Sequence, residues 1–145
     1  MEFTSPVLTL EQQGNIATLW LDRPEKRNAM AQEIVRDLPL AMRAIADNPA
    51  MRAVVIAARG KSFSVGLDLA SVMAGDGESG EAESGAVANL RQMRVTQDFQ
   101  AAISAVADCP LPVIAAIHSH CLGAGMDLVT ACDIRLASQI GRAHV

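Results

Sequence analysis

The chain has 145 residues, enough for one domain of ordinary size, and half of them are hydrophobic while 19% are charged, a balance that favours a packed core over disorder. A net charge of −4 argues against a nucleic-acid partner, and no apolar run is long enough to span a bilayer. Three cysteines, Cys109, Cys121 and Cys132, make an odd count without a CxxC pair, so a disulfide framework is not expected and a reducing cytoplasm is the default.

The start, Met1 to Gln13, lacks the basic and apolar blocks of a secretory signal and the Arg-rich character of an organellar leader. Val7 to Gln12 and Asn15 to Leu21 read as two strands around a turn at Gly14. A polar, proline-containing loop, Asp22 to Asn28, precedes a helix that carries Ile34, Val35, Leu38, Met42 and Ile45 at helical spacing. Pro39 lies inside it and is expected to kink or weaken it. Asn48-Pro49 closes that helix. The continuous apolar run Ala53 to Ala57 then suits a strand buried on both faces.

Arg59 to Leu69 reads as a loop with two glycines, and Gly75 to Gly85, rich in Gly, Ser and Glu, as a mobile stretch. A long helix is expected from about Ala88 to Asp108 on Leu90, Met93, Phe99, Ile103 and Val106. Val113 to Ile117 is a strand entered through Pro110 and Pro112. The turn Gly123-Ala124-Gly125 leads to a short helix, Met126 to Cys132, and Asp133 to Ala137 is the next strand. No fixed-period repeat is present. The alternation predicts an α/β layered fold with mostly parallel strands.

Two glycine-containing loops follow buried strands: Ser62 to Leu69 and His118 to Asp127. In open α/β sheets, ligands collect beyond the carboxyl ends of strands. Glycine lets backbone N–H groups approach a ligand, and the second loop opens a helix whose first N–H groups are unbonded. Two such donors aimed at one point make an oxyanion hole, with Asp127 within reach. The same residues fit a plainer account, in which Gly123 and Gly125 make a tight turn and Asp127 is a first-turn residue stabilised by the helix dipole.

Four segments carry a resemblance. Arg23-Pro24-Glu25-Lys26-Arg27-Asn28-Ala29 is similar to an RPxxxNA loop, and Phe63-Ser64-Val65-Gly66-Leu67-Asp68-Leu69 to an FxAGxDL loop. Pro112 to Ile117 followed by Cys121 to Leu128 is similar to PVIAAVxGxCxGGGxDL, and Ala131-Cys132-Asp133-Ile134-Arg135 matches ACDIR. In this order and spacing they resemble the crotonase (enoyl-CoA hydratase/isomerase) family from about Val7 to Ser138, and within it the dienoyl-CoA isomerases.

The resemblance implies a crotonase-like fold of repeated ββα units, truncated before the C-terminal helices. It implies a fatty acyl-CoA thioester as substrate, coenzyme A as part of that substrate, and no separate cofactor or metal. The thioester oxygen would sit between the backbone N–H groups of Leu67 and Ala124, each supplying roughly 3 kcal/mol of transition-state stabilisation. Gly66, Leu67, Asp68, Leu69, Ala70 and Gly125 would line the pantetheine and acyl path. Ala124 stands where glycine is usual, so the hole requires a backbone angle there that tolerates a Cβ. Asp127 occupies the position at which hydratases carry Glu and dienoyl isomerases Asp.

In the implied reaction two carboxylates move a proton along a conjugated chain, converting a 3,5-dienoyl thioester to its 2,4-isomer in fatty-acid β-oxidation. The second carboxylate would lie roughly twenty residues beyond Asp127, past Val145. The alternatives are an enoyl-CoA hydratase and, in another class, an inactive acyl-CoA-binding fragment.

Ser119 departs from the family's glycine and His120 from its small residue. His118, His120 and Cys121 are too tightly spaced to converge readily on a metal. Gly123-Ala124-Gly125 is no dinucleotide fingerprint, because Leu128 replaces the third glycine. Arg23, Lys26, Arg27, Arg59 and Lys61 would meet coenzyme A phosphates or serve as solvated loop charges. The full-length parent is expected to be a homotrimer or hexamer. A bacterial cytoplasm is expected, with peroxisome or mitochondrion left open. Ile140 to Val145 departs from the family pattern and is expected to be a non-native tail, since ATC GGA AGA GCA CAC GTC, a common sequencing-adapter string, encodes it. Apolar helix faces left uncovered would make the chain poorly soluble.

Overall fold

A computed structural model describes residues 3–74 and 85–138. Strands β1 (Leu8–Gln13) and β2 (Ile16–Leu21) form a hairpin, and β3 (Ala53–Ala58), β4 (Val113–Ile117) and β5 (Ile134–Ala137) extend the sheet in the order β1-β2-β3-β4-β5. The first pair is antiparallel and the rest are parallel. Helices α1 (Gln32–Ala46), α2 (Leu69–Ala74), α3 (Gly85–Ala107) and α4 (Ala124–Thr130) lie in the connections, with a short 3-10 turn at Pro24–Lys26. The mixed α/β architecture agrees with the sequence. The reading of residues 75 to 84 as mobile, and that of the last six residues as a tail, fall outside the described residues.

α1 forms because Ile34, Leu38, Ala41, Met42 and Ile45 recur at helical spacing and are all at most 2% exposed. They pack over Ala17, Leu19 and Leu21 of β2 and Val54 and Ile56 of β3, which share one sheet face. Each large aliphatic side chain so buried contributes about 1.5–3 kcal/mol. α1 therefore runs unbroken through Pro39, the expected weak point. Only one intrahelical donor is missing there, and the buried stripe on either side holds the helix. α3 adds Ala102 and Val106 to the same core.

The expectation that β3 is buried on both faces is met in part. Val54 and Ile56 are fully buried, whereas on the other face Ala57 is buried and Ala53 and Val55 are only partly so. Parallel strands added in one direction through crossovers of one hand receive their helices on one face. The opposite face carries the cross-strand row Thr18, Val55, Ile114 and Ile134 and the row Trp20, Ala57, Ala116 and Leu136. No described helix covers it, and Ile134 and Leu136 stand 48% and 60% exposed.

Two further differences bear on the site. Helix α2 occupies residues that the sequence suggested were the end of a loop and the approach to a mobile stretch. Helix α4 begins at Ala124 rather than Met126. Gly123, at φ 49° and ψ −122°, sends the chain directly into the helix, a conformation closed to residues with a Cβ.

Candidate active site

The first glycine loop is held from beneath by Asn28, which is fully buried. Its side-chain oxygen accepts from Arg23 N at 2.8 Å, and its amide nitrogen donates to the carbonyls of Arg59 and Ser62 at 2.8 and 2.9 Å. Its own carbonyl accepts from the buried Ser64 hydroxyl at 2.8 Å. Asn28 adopts φ 54°, a left-handed conformation that Asn tolerates better than most residues. The Pro24-to-Ala29 turn and the loop after β3 are thus tied together by one side chain.

A second tie sets the direction of the Leu67 amide. Met30 N donates to Gly66 O at 2.7 Å and Asp68 N to Met30 O at 3.0 Å, the pattern of a parallel bridge between Met30 and Leu67. In such a bridge the flanking residues bond, and the N–H of the central one points the other way. Leu67 N–H therefore faces away from Met30, and no backbone acceptor takes it among the described residues. Arg23 completes the brace with a 2.7 Å ion pair to Asp68, both side chains largely buried. The hydrogen bond from Arg23 holds the Asp68 carboxyl below its ordinary pKa. Asp68 also accepts from Ser71 N at the start of α2. Its carboxylate is turned into the loop structure, which leaves only its backbone to face a ligand.

The second loop is joined to the first by a bridge between Ser64 and Cys121, with Ser64 N donating to His120 O and Leu122 N to Ser64 O. This brings Gly66 and Gly123 against each other. A Cβ on Gly123 would lie 3.5 Å from Gly66 Cα, and one on Gly125 would lie 2.9 Å from Ser64 Cβ. The residues following the two facing glycines are Leu67 and Ala124. Ala124 is the first residue of α4, has no positive φ and is 5% exposed. Its methyl group therefore fits, and its N–H has no backbone acceptor among the described residues. Among the described residues, two backbone donors without a backbone acceptor thus flank the point where the loops touch.

Asp127 lies one turn further along α4, with its side chain exposed. It lines an open cleft of about 470 Å³ between α3 and α4 together with Phe99, Gln100, Ile103, Ser104 and Thr130. Leu67 and Leu69 are 42% and 64% exposed beside the loops, and Ala70 follows in α2. Gly125 is buried on Ser64 and serves the packing of the loops. The candidate residues thus fall into three groups: donors at Leu67 and Ala124, the open carboxylate of Asp127, and Gly66, Asp68 and Gly125, which hold the loops together.

Of the basic residues, Arg23 is committed to Asp68. Arg59 bonds Glu11, pairs with Asp22 and lies 4.6 Å over the Trp20 ring. Lys26, Arg27 and Lys61 are exposed. His118 Nε2 donates to the Gly60 carbonyl at 2.9 Å, and His120 Nδ1 lies 3.0 Å from the Ser119 hydroxyl. Burial pushes the Cys121 and Cys132 thiols up to about 11, so neither is a thiolate nucleophile at neutral pH.

Sequence reasoning singled out Leu67, Ala124 and Asp127 as candidates and missed the bracing role of Asn28, Met30 and Ser64 and the cleft wall of α3. The signal for Asn28 was its place in the Arg23-to-Ala29 motif. For α3 it was the pair Gln100 and Ser104, polar residues four apart beside apolar Phe99 and Ile103.

Comparison with known proteins bears on the same residues. The enoyl-CoA hydratase/isomerase family model matches residues 11–143. The mitochondrial Delta(3,5)-Delta(2,4)-dienoyl-CoA isomerase of Mus musculus is 40% identical over 129 residues, covering 88% of this chain and 38% of its own length. The peroxisomal Delta(3,5)-Delta(2,4)-dienoyl-CoA isomerase of Arabidopsis thaliana is 32% identical, covering 94% of this chain and 49% of its own. An enoyl-CoA hydratase/isomerase structure from Xanthobacter autotrophicus superposes with a TM-score of 0.80 at 27% identity, over 92% of this chain and 46% of that one. The chain spans about half, or less, of the length of these relatives.

Proposed function

The chain belongs to the enoyl-CoA hydratase/isomerase family, and on that premise we propose that the protein it represents isomerises the double bonds of a dienoyl-CoA thioester in fatty-acid β-oxidation. The observation that carries this is the juxtaposition of Gly66-Leu67 and Gly123-Ala124, with Asp127 one helical turn beyond. The thioester oxygen accepts hydrogen bonds from the Leu67 and Ala124 amides. Polarised in this way, the thioester releases a proton from C2 to a carboxylate, and the electron pair moves into an extended enolate, conjugated through C6, whose oxygen the two amides hold. A proton then returns at C6, and the 3,5-diene becomes the 2,4-diene. Asp127 is one of the two proton-carrying groups, and an aspartate here, as in the sequence motif of dienoyl isomerases, favours isomerisation over hydration. Coenzyme A enters as part of the substrate, with no separate cofactor.

The test is an absorbance assay of the protein this chain represents, including the second carboxylate expected beyond Val145, with a 3,5-dienoyl-CoA and, in parallel, a simple 2-enoyl-CoA. Extending conjugation to the carbonyl moves absorbance to longer wavelength, so isomerisation reads as a rise. A rise with the dienoyl thioester that Asp127→Asn abolishes is expected. Loss of absorbance with the enoyl thioester alone would make the protein a hydratase. Thioester binding with no turnover of either would make the protein an inactive acyl-CoA binder.

A further inference from the structure

Resting on the acyl-CoA reading above, we infer that Gln100 and Ser104 of α3 select acyl chains that carry a hydrogen-bonding substituent, such as a hydroxyl group, on the segment lying beside Asp127. The cleft has two unlike surfaces. Phe99 and Ile103 are partly buried and supply an apolar floor, while Gln100 and Ser104 are exposed along the same open cleft as Asp127 and Thr130. The Thr130 hydroxyl already donates to the Asp127 carbonyl at 2.9 Å. Among the described residues, no hydrogen bond engages the side chains of Gln100 or Ser104, whereas Thr96 on the same helix closes its hydroxyl onto Gln92 O.

Gln100 and Ser104 are four residues apart on one helix and so present their polar ends side by side. The helix is fixed by Ala102 and Val106, 2% and 1% exposed, on its opposite side. The helix that carries both polar side chains is thereby held in place beside the cleft. A plain hydrocarbon chain laid in this cleft displaces water from both groups and returns no hydrogen bond. Sites built with polar groups discriminate against ligands that leave those groups unpaired. A hydroxyl on the chain restores the bond, whereas Leu and Ala at these two positions would remove the demand for it. The selecting residues lie on α3, outside both glycine loops, so the catalytic donors need not change for substrate choice to change.

The experiment is calorimetric titration of the purified chain with decanoyl-CoA and with decanoyl-CoA isomers bearing one hydroxyl beyond C4. The same titrations are made on the double variant Gln100→Leu/Ser104→Ala. One hydroxylated isomer is expected to bind about tenfold more tightly than decanoyl-CoA, the worth of one net hydrogen bond, and the double variant to lose or reverse that preference. Both positions are exposed, so thermal unfolding should be unchanged and a folding defect can be told apart. Equal or tighter binding of decanoyl-CoA by the unmodified chain, or a hydroxyl preference that survives in the double variant, overturns the inference. If no thioester binds at all, the acyl-CoA reading itself falls, and this inference with it.

Discussion

The two sides of the site are built in opposite ways. On the loop side, Asn28, Ser62 and Ser64 are buried polar residues, each at most 4% exposed, and their hydrogen bonds fix the backbone that carries Leu67 and Ala124. On the cleft side, Asp127, Gln100 and Ser104 are exposed side chains. The difference teaches a division of labour. Backbone donors that must meet an oxygen in a set direction are locked by satisfied burial, whereas the side chains that meet the variable part of a substrate stand on helix surfaces. Mutations on the loop side should therefore act on stability, and those on the cleft side on binding and turnover.

The largest stability loss should come from Asn28→Ala. It strands the carbonyls of Arg59 and Ser62 and the Arg23 amide, and denaturant unfolding should register a loss of about 3 kcal/mol. Gly125→Ala should follow at about 1–3 kcal/mol in the same assay, because the new methyl lies inside contact distance of Ser64 and must push the loops apart. Ser119→Gly should go the other way. Ser119 holds φ 54°, and relieving it should raise stability by up to about 1 kcal/mol, read as a higher midpoint. Asp127→Asn should leave the midpoint within about 0.5 kcal/mol while abolishing turnover. A stability loss at Asp127 comparable to that at Asn28 would break the comparison.

The Arg23–Asp68 brace adds a pH dependence. The Asp68 carboxyl is held below its ordinary value by Arg23, so its contribution is present above the ordinary carboxylate range. That contribution fades as pH falls through the lowered value. Unfolding midpoints measured down the acid limb should fall less steeply in Asp68→Asn than in the unmodified chain.

Much of the loop side was legible in the sequence, because glycine spacing after buried strands is a local pattern. The tie through Asn28 was not, since a single asparagine in a loop carries no periodic signal and the partners it reaches across the fold, Arg59, Ser62 and Ser64, lie more than thirty residues away. The partly covered second sheet face was misread because an apolar run such as Ala53 to Ala57 does not reveal how fully each face is covered. That depends on the direction of strand addition, which emerges only with the topology. The wall of α3 was missed for a related reason, as the pair Gln100 and Ser104 gains meaning only when α4 lies beside it.

The central claim, that Leu67 and Ala124 offer two amides to one thioester oxygen, is tested most directly by nitrogen-edited NMR. The Asp127→Asn chain would be titrated first with a 3,5-dienoyl-CoA and then with free coenzyme A. The account predicts that both amide protons shift downfield and saturate together with the thioester, and that neither does with coenzyme A alone. Saturable thioester binding that leaves the Leu67 and Ala124 amides unmoved would contradict it.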